Sequence, residues 1–200
     1  QLRAKLPPKE KAAIERAPTD DIEAFDLYTR GKTLLFCTVF SFKIKDNLNQ
    51  AVELFNQAIA RDPEFFLAYC QLAAAHDQLY FLGRDHTPAR LALAEAAVQT
   101  ALRLRPDAGE AHLALAQHRY RGYLDYERAR AEIAIAKRTL PNDPLPFELT
   151  GYMDRRQGRW EDYGPAVCVL GRIGAALGRK EEALREGRRR LSFCRWQKTP

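Results

Sequence analysis

Four histidines are the side chains best suited to proton transfer or metal binding near neutral pH: His76, His86, His112 and His118. Two ligands on one helix must share a face, which a spacing of four residues provides. His112 and His118 stand six apart and fall off a common face, and His86 belongs to a turn between helices. The cysteines, Cys37, Cys70, Cys168 and Cys194, make no CxxC pair and have no histidine at ligand spacing. They read as reduced, mostly buried thiols, which suits a reducing compartment. Nucleophilic catalysis finds no GxSxG turn, and phosphate binding finds no Gly-rich loop. The adjacent acids Asp20-Asp21 and Glu181-Glu182 diverge on a helix, so neither forms an acid/base couple. These residues predict no enzyme, no cofactor and no metal. The remaining chemistry is recognition, in a set of polar and aromatic residues: Tyr28, Lys32, Gln71, Gln78, His118, Arg121, Glu148, Tyr152, Arg155 and Arg156.

Whether those residues share a surface depends on the elements that carry them. Three segments align on one frame. Ala51, Phe55, Ala58 and Pro63 recur as Ala94, Val98, Ala101 and Pro106, and again as Ala129, Ile133, Ala136 and Pro141. Small, large and small residues at i, i+4 and i+7 lie on one helical face. The alanines admit a neighbouring helix, the large residue fills the groove, and the proline ends the helix. Each such helix should follow a partner. In the third copy, Ala111, Leu113, Ala116 and Tyr120 form that partner's core and the unit spans 110–143. The first copy (core Leu27, Gly31, Leu34) and the second (Ala68, Ala73, Ala74, Asp77) are each eight residues longer, in aromatic-rich insertions at 35–44 and 78–87.

Helix punctuation fits this plan. Thr87-Pro88 and Asp143-Pro144 read as N-cap plus proline, Asp20 with Glu23 as a capping box, and Asp46 or Asn47 as the cap of the helix carrying Ala51. Past residue 144 the order weakens. Gly164-Pro165 breaks a helix that should continue, and Gly187 and Arg190 stand where an apolar and a small residue belong. The expected organisation is a linker or short helix over 1–19, helical repeats over 20–191 (24–65, 66–108, 110–143 and an irregular 144–191), and a basic tail over 192–200.

The repeated frame resembles the second helix of a tetratricopeptide repeat (TPR), whose pattern ends A-x3-F-x2-A-x4-P. The resemblance covers 24–191 and implies an all-α fold: an α-solenoid of antiparallel helix pairs, a right-handed superhelix of about four repeats. It places the recognition residues on the first helices, lining the concave surface. The carboxylate clamp of one TPR subclass needs a Lys-then-Asn pairing on a first helix, which this chain lacks. Residues 1–35, with the phrases at 125–129, 140–144 and 155–161, are similar to the TPR portion of bacterial multidomain regulators associated with TolB-like, adenylate cyclase or kinase modules. That likeness implies a regulator fragment in the bacterial cytoplasm, and the start at Gln1 rather than Met agrees with an excised piece.

Composition bounds the function. No run of about 18 apolar residues exists to span a membrane, and Pro7-Pro8 occupy the place of a signal peptide's apolar core. Residues 1–153 are neutral, whereas 154–200 hold 12 basic and 6 acidic residues. The groove, growing basic toward its C-terminal end, is expected to take a protein or peptide carrying acidic groups. Two alternatives stand beside this. Uncapped repeat ends, with Val39, Phe40 and Phe42 at one and Val167, Val169, Leu191, Phe193 and Trp196 at the other, would stack copies into a homo-oligomer. The basic tail with Phe193 and Trp196 would contact nucleic acid or an anionic membrane surface, though nucleic acid is the weaker expectation. No small-molecule substrate is indicated.

Overall fold

The computed structural model describes residues 18–37 and 43–159. They form seven helices: α1 (Ile22–Cys37), α2 (Ile44–Arg61), α3 (Phe66–Phe81), α4 (Pro88–Leu104), α5 (Gly109–Tyr123), α6 (Tyr126–Thr139) and α7 (Leu145–Arg156). No strand occurs among the described residues. The expected linker, the basic tail, most of the irregular fourth repeat and the residues Val39, Phe40 and Phe42 lie outside them.

Neighbouring helices pair along the chain as α1/α2, α3/α4 and α5/α6, and each pair stacks on the next through α2/α3, α4/α5 and α6/α7. The frame explains why. Ala51, Phe55 and Ala58, Ala94, Val98 and Ala101, and Ala129, Ile133 and Ala136 are all buried. The large residue reaches into its partner helix: a Cβ on Gly31 would lie 2.6 Å from the Phe55 ring, so α1 and α2 cross where α1 has no side chain. The helices end where the prolines require. The last N–H bonds run from Asp62 to Ala58 O, Arg105 to Ala101 O and Leu140 to Ala136 O, and the next residue is a proline with no N–H to extend the ladder.

The helix starts agree in part with the sequence. Thr87 caps α4, its hydroxyl accepting the Arg90 N–H, with Pro88 at the first helical position. Asp143 accepts the Leu145 N–H at 2.8 Å, but α7 starts at Leu145, so Pro144 holds the cap position rather than the first helical one and Asp143 lies one residue before the cap. Two further expectations are corrected. The cap of α1 is Asp21, whose Oδ1 accepts the Ala24 N–H at 2.8 Å, while Glu23 turns away to pair with Arg61. Helix α2 starts at Ile44 behind Lys43 with no side-chain cap, so Asp46 sits within its first turn, where its charge favours the helix dipole. The insertion at 78–87 adds a residue to α3, a six-residue connection with Gly83 at φ +65, and a leading turn on α4. The regular unit crosses from α5 to α6 through Leu124 and Asp125 alone.

Candidate functional site

The first helices α1, α3, α5 and α7 touch one another in succession, whereas the second helices α2, α4 and α6 do not. The first-helix layer is the tighter one, so its free face is the inner, concave face. All ten recognition residues lie on these four helices.

They divide by burial. Tyr28 is a core residue, its ring among those of Phe25, Phe55 and Phe65, the last 4.9 Å away between centroids. Burial pushes its phenol well above the ordinary range. Lys32 is exposed, its ammonium 5.5 Å over the Tyr28 ring. Gln71 and Gln78 on α3 are half-buried. His118 is only 1% exposed and is enclosed rather than presented. On the same helix Arg121 is half-buried, with Nη1 sealed from solvent and without a hydrogen-bond partner. Helix α7 carries Glu148 and Tyr152, which bond to each other, and the exposed Arg155 and Arg156. The Arg156 guanidinium lies 4.6 Å over the Phe81 ring and 5.9 Å over Tyr120, joining α3, α5 and α7 at one end of the face.

Tyr28 and His118 are thus placed differently from a solvent-facing groove residue, for distinct reasons. Tyr28 is closed off by Phe65 at the start of α3. His118 is held by two carboxylates: Nδ1 is 2.8 Å from Asp77 Oδ1 on α3, and Nε2 is 2.7 Å from Glu95 Oε2 on α4, a close ion pair poorly aligned for a hydrogen bond. The Tyr123 ring meets it edge-on. Burial opposes charge on His118, but Asp77 and Glu95 outweigh it and raise the imidazole pKa above its ordinary value. Burial lifts Asp77 in turn, against the opposing pull of His118 and Arg121, and the two groups titrate as a coupled pair. With both ring nitrogens occupied, and neither bonded to a hydroxyl or a thiol, this is a charged clamp across three helices rather than a base waiting for a nucleophile.

Asp77 is the residue that the sequence places in the core of the second copy without naming a partner for it. The signal was present, because a carboxylate in a core position needs a partner. Asp154 on α7 repeats the lesson: it is 1% exposed and bound by Arg130 of α6 at 2.6 Å and by Arg159 at 3.1 Å. The remaining histidines are also tied. His112 bonds Glu132 and the Pro106 carbonyl, His76 bonds Arg90, and His86 stacks on Tyr80. Burial, then the Arg90 charge, pull His76 down to about 4. Cys70 is buried, and burial raises its thiol far from reactivity. Among the described residues no three His, Cys, Asp or Glu side chains cluster to hold a metal ion, and no helix is long and apolar enough to cross a membrane.

No family model and no curated protein matches the sequence. Among solved structures, the chain is similar to a thermophilic TPR protein of Thermus thermophilus, with 20% identity, a TM-score of 0.62, and coverage of 88% of this chain and 86% of that one. A MamA RS-1 double mutant also matches, at 15% identity and a TM-score of 0.46, over 84% of this chain and 82% of that one. The paired helices, the buried Ala–large–Ala columns and the first of these likenesses agree: the chain has the tetratricopeptide-repeat fold.

Proposed function

We propose that this array is a non-catalytic scaffold that holds a partner protein segment on its inner face, at the α5–α7 end. The observation that carries the reading is the cationic and aromatic surface there. Arg155 and Arg156 are exposed, and Arg156 lies over Phe81 and Tyr120. Guanidinium groups on aromatic rings keep their N–H edges free for a carboxylate, and a planar fork suits bidentate capture. The partner class is therefore a peptide with Asp or Glu side chains. Lys32, Gln71 and Gln78 extend the contact toward the other end, while Tyr28 and His118 support the face from beneath. The likeness of residues 1–35 to the joining segment of bacterial regulators supports a role for this scaffold within such a regulator.

A peptide array screened against the protein tests the proposal. Acidic peptides are expected to bind, with affinity falling as salt rises. The double variant Arg155→Glu/Arg156→Glu should lose at least tenfold, since charge reversal repels the acidic partner. An array on which acidic and neutral peptides score alike, or binding indifferent to the double variant, would remove the reading.

A further inference from the structure

The charges of the inner face are sorted along the first helices. These helices run side by side with their last turns together: the Phe81 and Tyr120 rings are 5.8 Å apart between centroids, and Arg156 covers both. Toward this end the recognition residues that carry charge into solvent are cations, Lys32 on α1 and Arg155 and Arg156 on α7. The opposite end is acidic. Glu110 stands in the first turn of α5 and Glu148 in the first turn of α7, both half-buried.

Both acids belong to the face that carries the recognition residues. Glu148, Tyr152 and Arg155 follow one another at i, i+4 and i+7 along one side of α7. Glu110 and Arg121 stand eleven apart on α5, which brings them within about 20° of each other around the helix. The contacts agree. After burial, Glu110 helps raise the Cys70 thiol on α3, and with Cys70 it helps raise the Tyr28 phenol on α1, so its charge is felt across the first-helix layer. Glu148 accepts the Tyr152 hydroxyl, and its Oε2 is not sealed from solvent. The enclosed charges beneath answer one another, Asp77 and Glu95 against His118 and Arg121. Glu110 and Glu148 therefore stand apart from the cations. Along α7 the step from Glu148 to Arg155 is about 10 Å.

We propose that the inner face is a polarised groove whose partner is an extended segment of mixed charge, with Asp or Glu side chains set toward Arg155 and Arg156 and Lys or Arg side chains set toward Glu110 and Glu148. The proposal rests on the reading that an acidic segment binds at the α5–α7 end, and it narrows that partner class. Glu110 and Glu148 repel a segment that is acidic throughout and attract one that also carries bases. Successive side chains of an extended chain point to opposite sides, so a segment crossing the first helices meets both flanks when acid and base alternate along it.

Fluorescence anisotropy of the full chain with two labelled peptides of equal length tests this. One alternates Glu and Lys; in the other Gln replaces every Lys. The Glu/Lys peptide should bind about fivefold more tightly, the factor that a few exposed charge pairs supply. In Glu110→Gln/Glu148→Gln that preference should vanish, and in Glu110→Lys/Glu148→Lys the Glu/Gln peptide should become the tighter ligand. Equal affinity of the two peptides for the unmodified protein overturns the proposal and leaves the acidic-segment reading standing. A preference that survives Glu110→Gln/Glu148→Gln overturns it as well. If that variant melts at a lower temperature with its choice of peptide unchanged, the two acids serve only the dipoles of the helices they begin. Failure of the unmodified protein to bind either peptide removes both the proposal and the reading beneath it.

Discussion

At the scale of the residue, charge is buried where the repeat frame calls for a core side chain. Asp77 and Asp154 are each enclosed, and each is answered by a cation: His118 for the first, Arg130 and Arg159 for the second. Removing one member of such a pair strands the other. His118→Ala should therefore cost about 3–5 kcal/mol of unfolding free energy in urea melts. The two buried histidines also set opposite pH limbs. His118 has a raised pKa, so its stabilisation is complete below the unfolded value near 6.5 and is lost as pH rises through the folded value. His76 is pulled down to about 4, so its contribution is complete above about 6.5 and is lost as pH falls toward 4. Stability measured against pH should lose its alkaline slope in His118→Gln and part of its acid slope in His76→Asn. Unchanged slopes would contradict these assignments. Sequence reading saw His118 on the inner face, yet it could not see that Asp77, 41 residues away, and Glu95 of a third helix would meet there.

At the scale of the element, the fold was largely legible because its signal is periodic. Alanine at fixed spacing before a proline identified α2, α4 and α6, and burial of all nine frame residues follows from that spacing. Caps were less legible, because Asp20 and Asp21 are adjacent and only the backbone path decides which side chain reaches the Ala24 N–H. The crossing of α1 and α2 offers a sharp test. Gly31→Ala places a methyl against the Phe55 ring and should destabilise by about 1–3 kcal/mol. In a Phe55→Leu background the same substitution should cost less than half as much, a coupling that a double-mutant cycle in denaturant reads directly. Additive effects would show that the close approach is relieved elsewhere.

At the scale of the whole molecule, departures from regularity set the character of the inner face. The regular unit, α5/α6, has the shortest connection, whereas α3/α4 is lengthened by a loop tied through His86 on Tyr80, Asp85 on Arg90 and Arg90 on His76. The charge-reversed Arg155/Arg156 protein belongs to this scale. It should unfold within about 1–2 kcal/mol of the unmodified chain, the loss of the Arg156 contacts with Phe81 and Tyr120, while its partner binding collapses. That separation of stability from recognition is what a scaffold with a grafted surface predicts. The alanine columns carry one more consequence. A methyl side chain has no rotamers to lose, so bringing six of the nine frame residues into contact freezes no side-chain torsions. Successive helices can therefore close on one another at little conformational-entropy cost beyond that of the backbone. The large residue at the centre of each column, Phe55, Val98 or Ile133, is where that cost is concentrated.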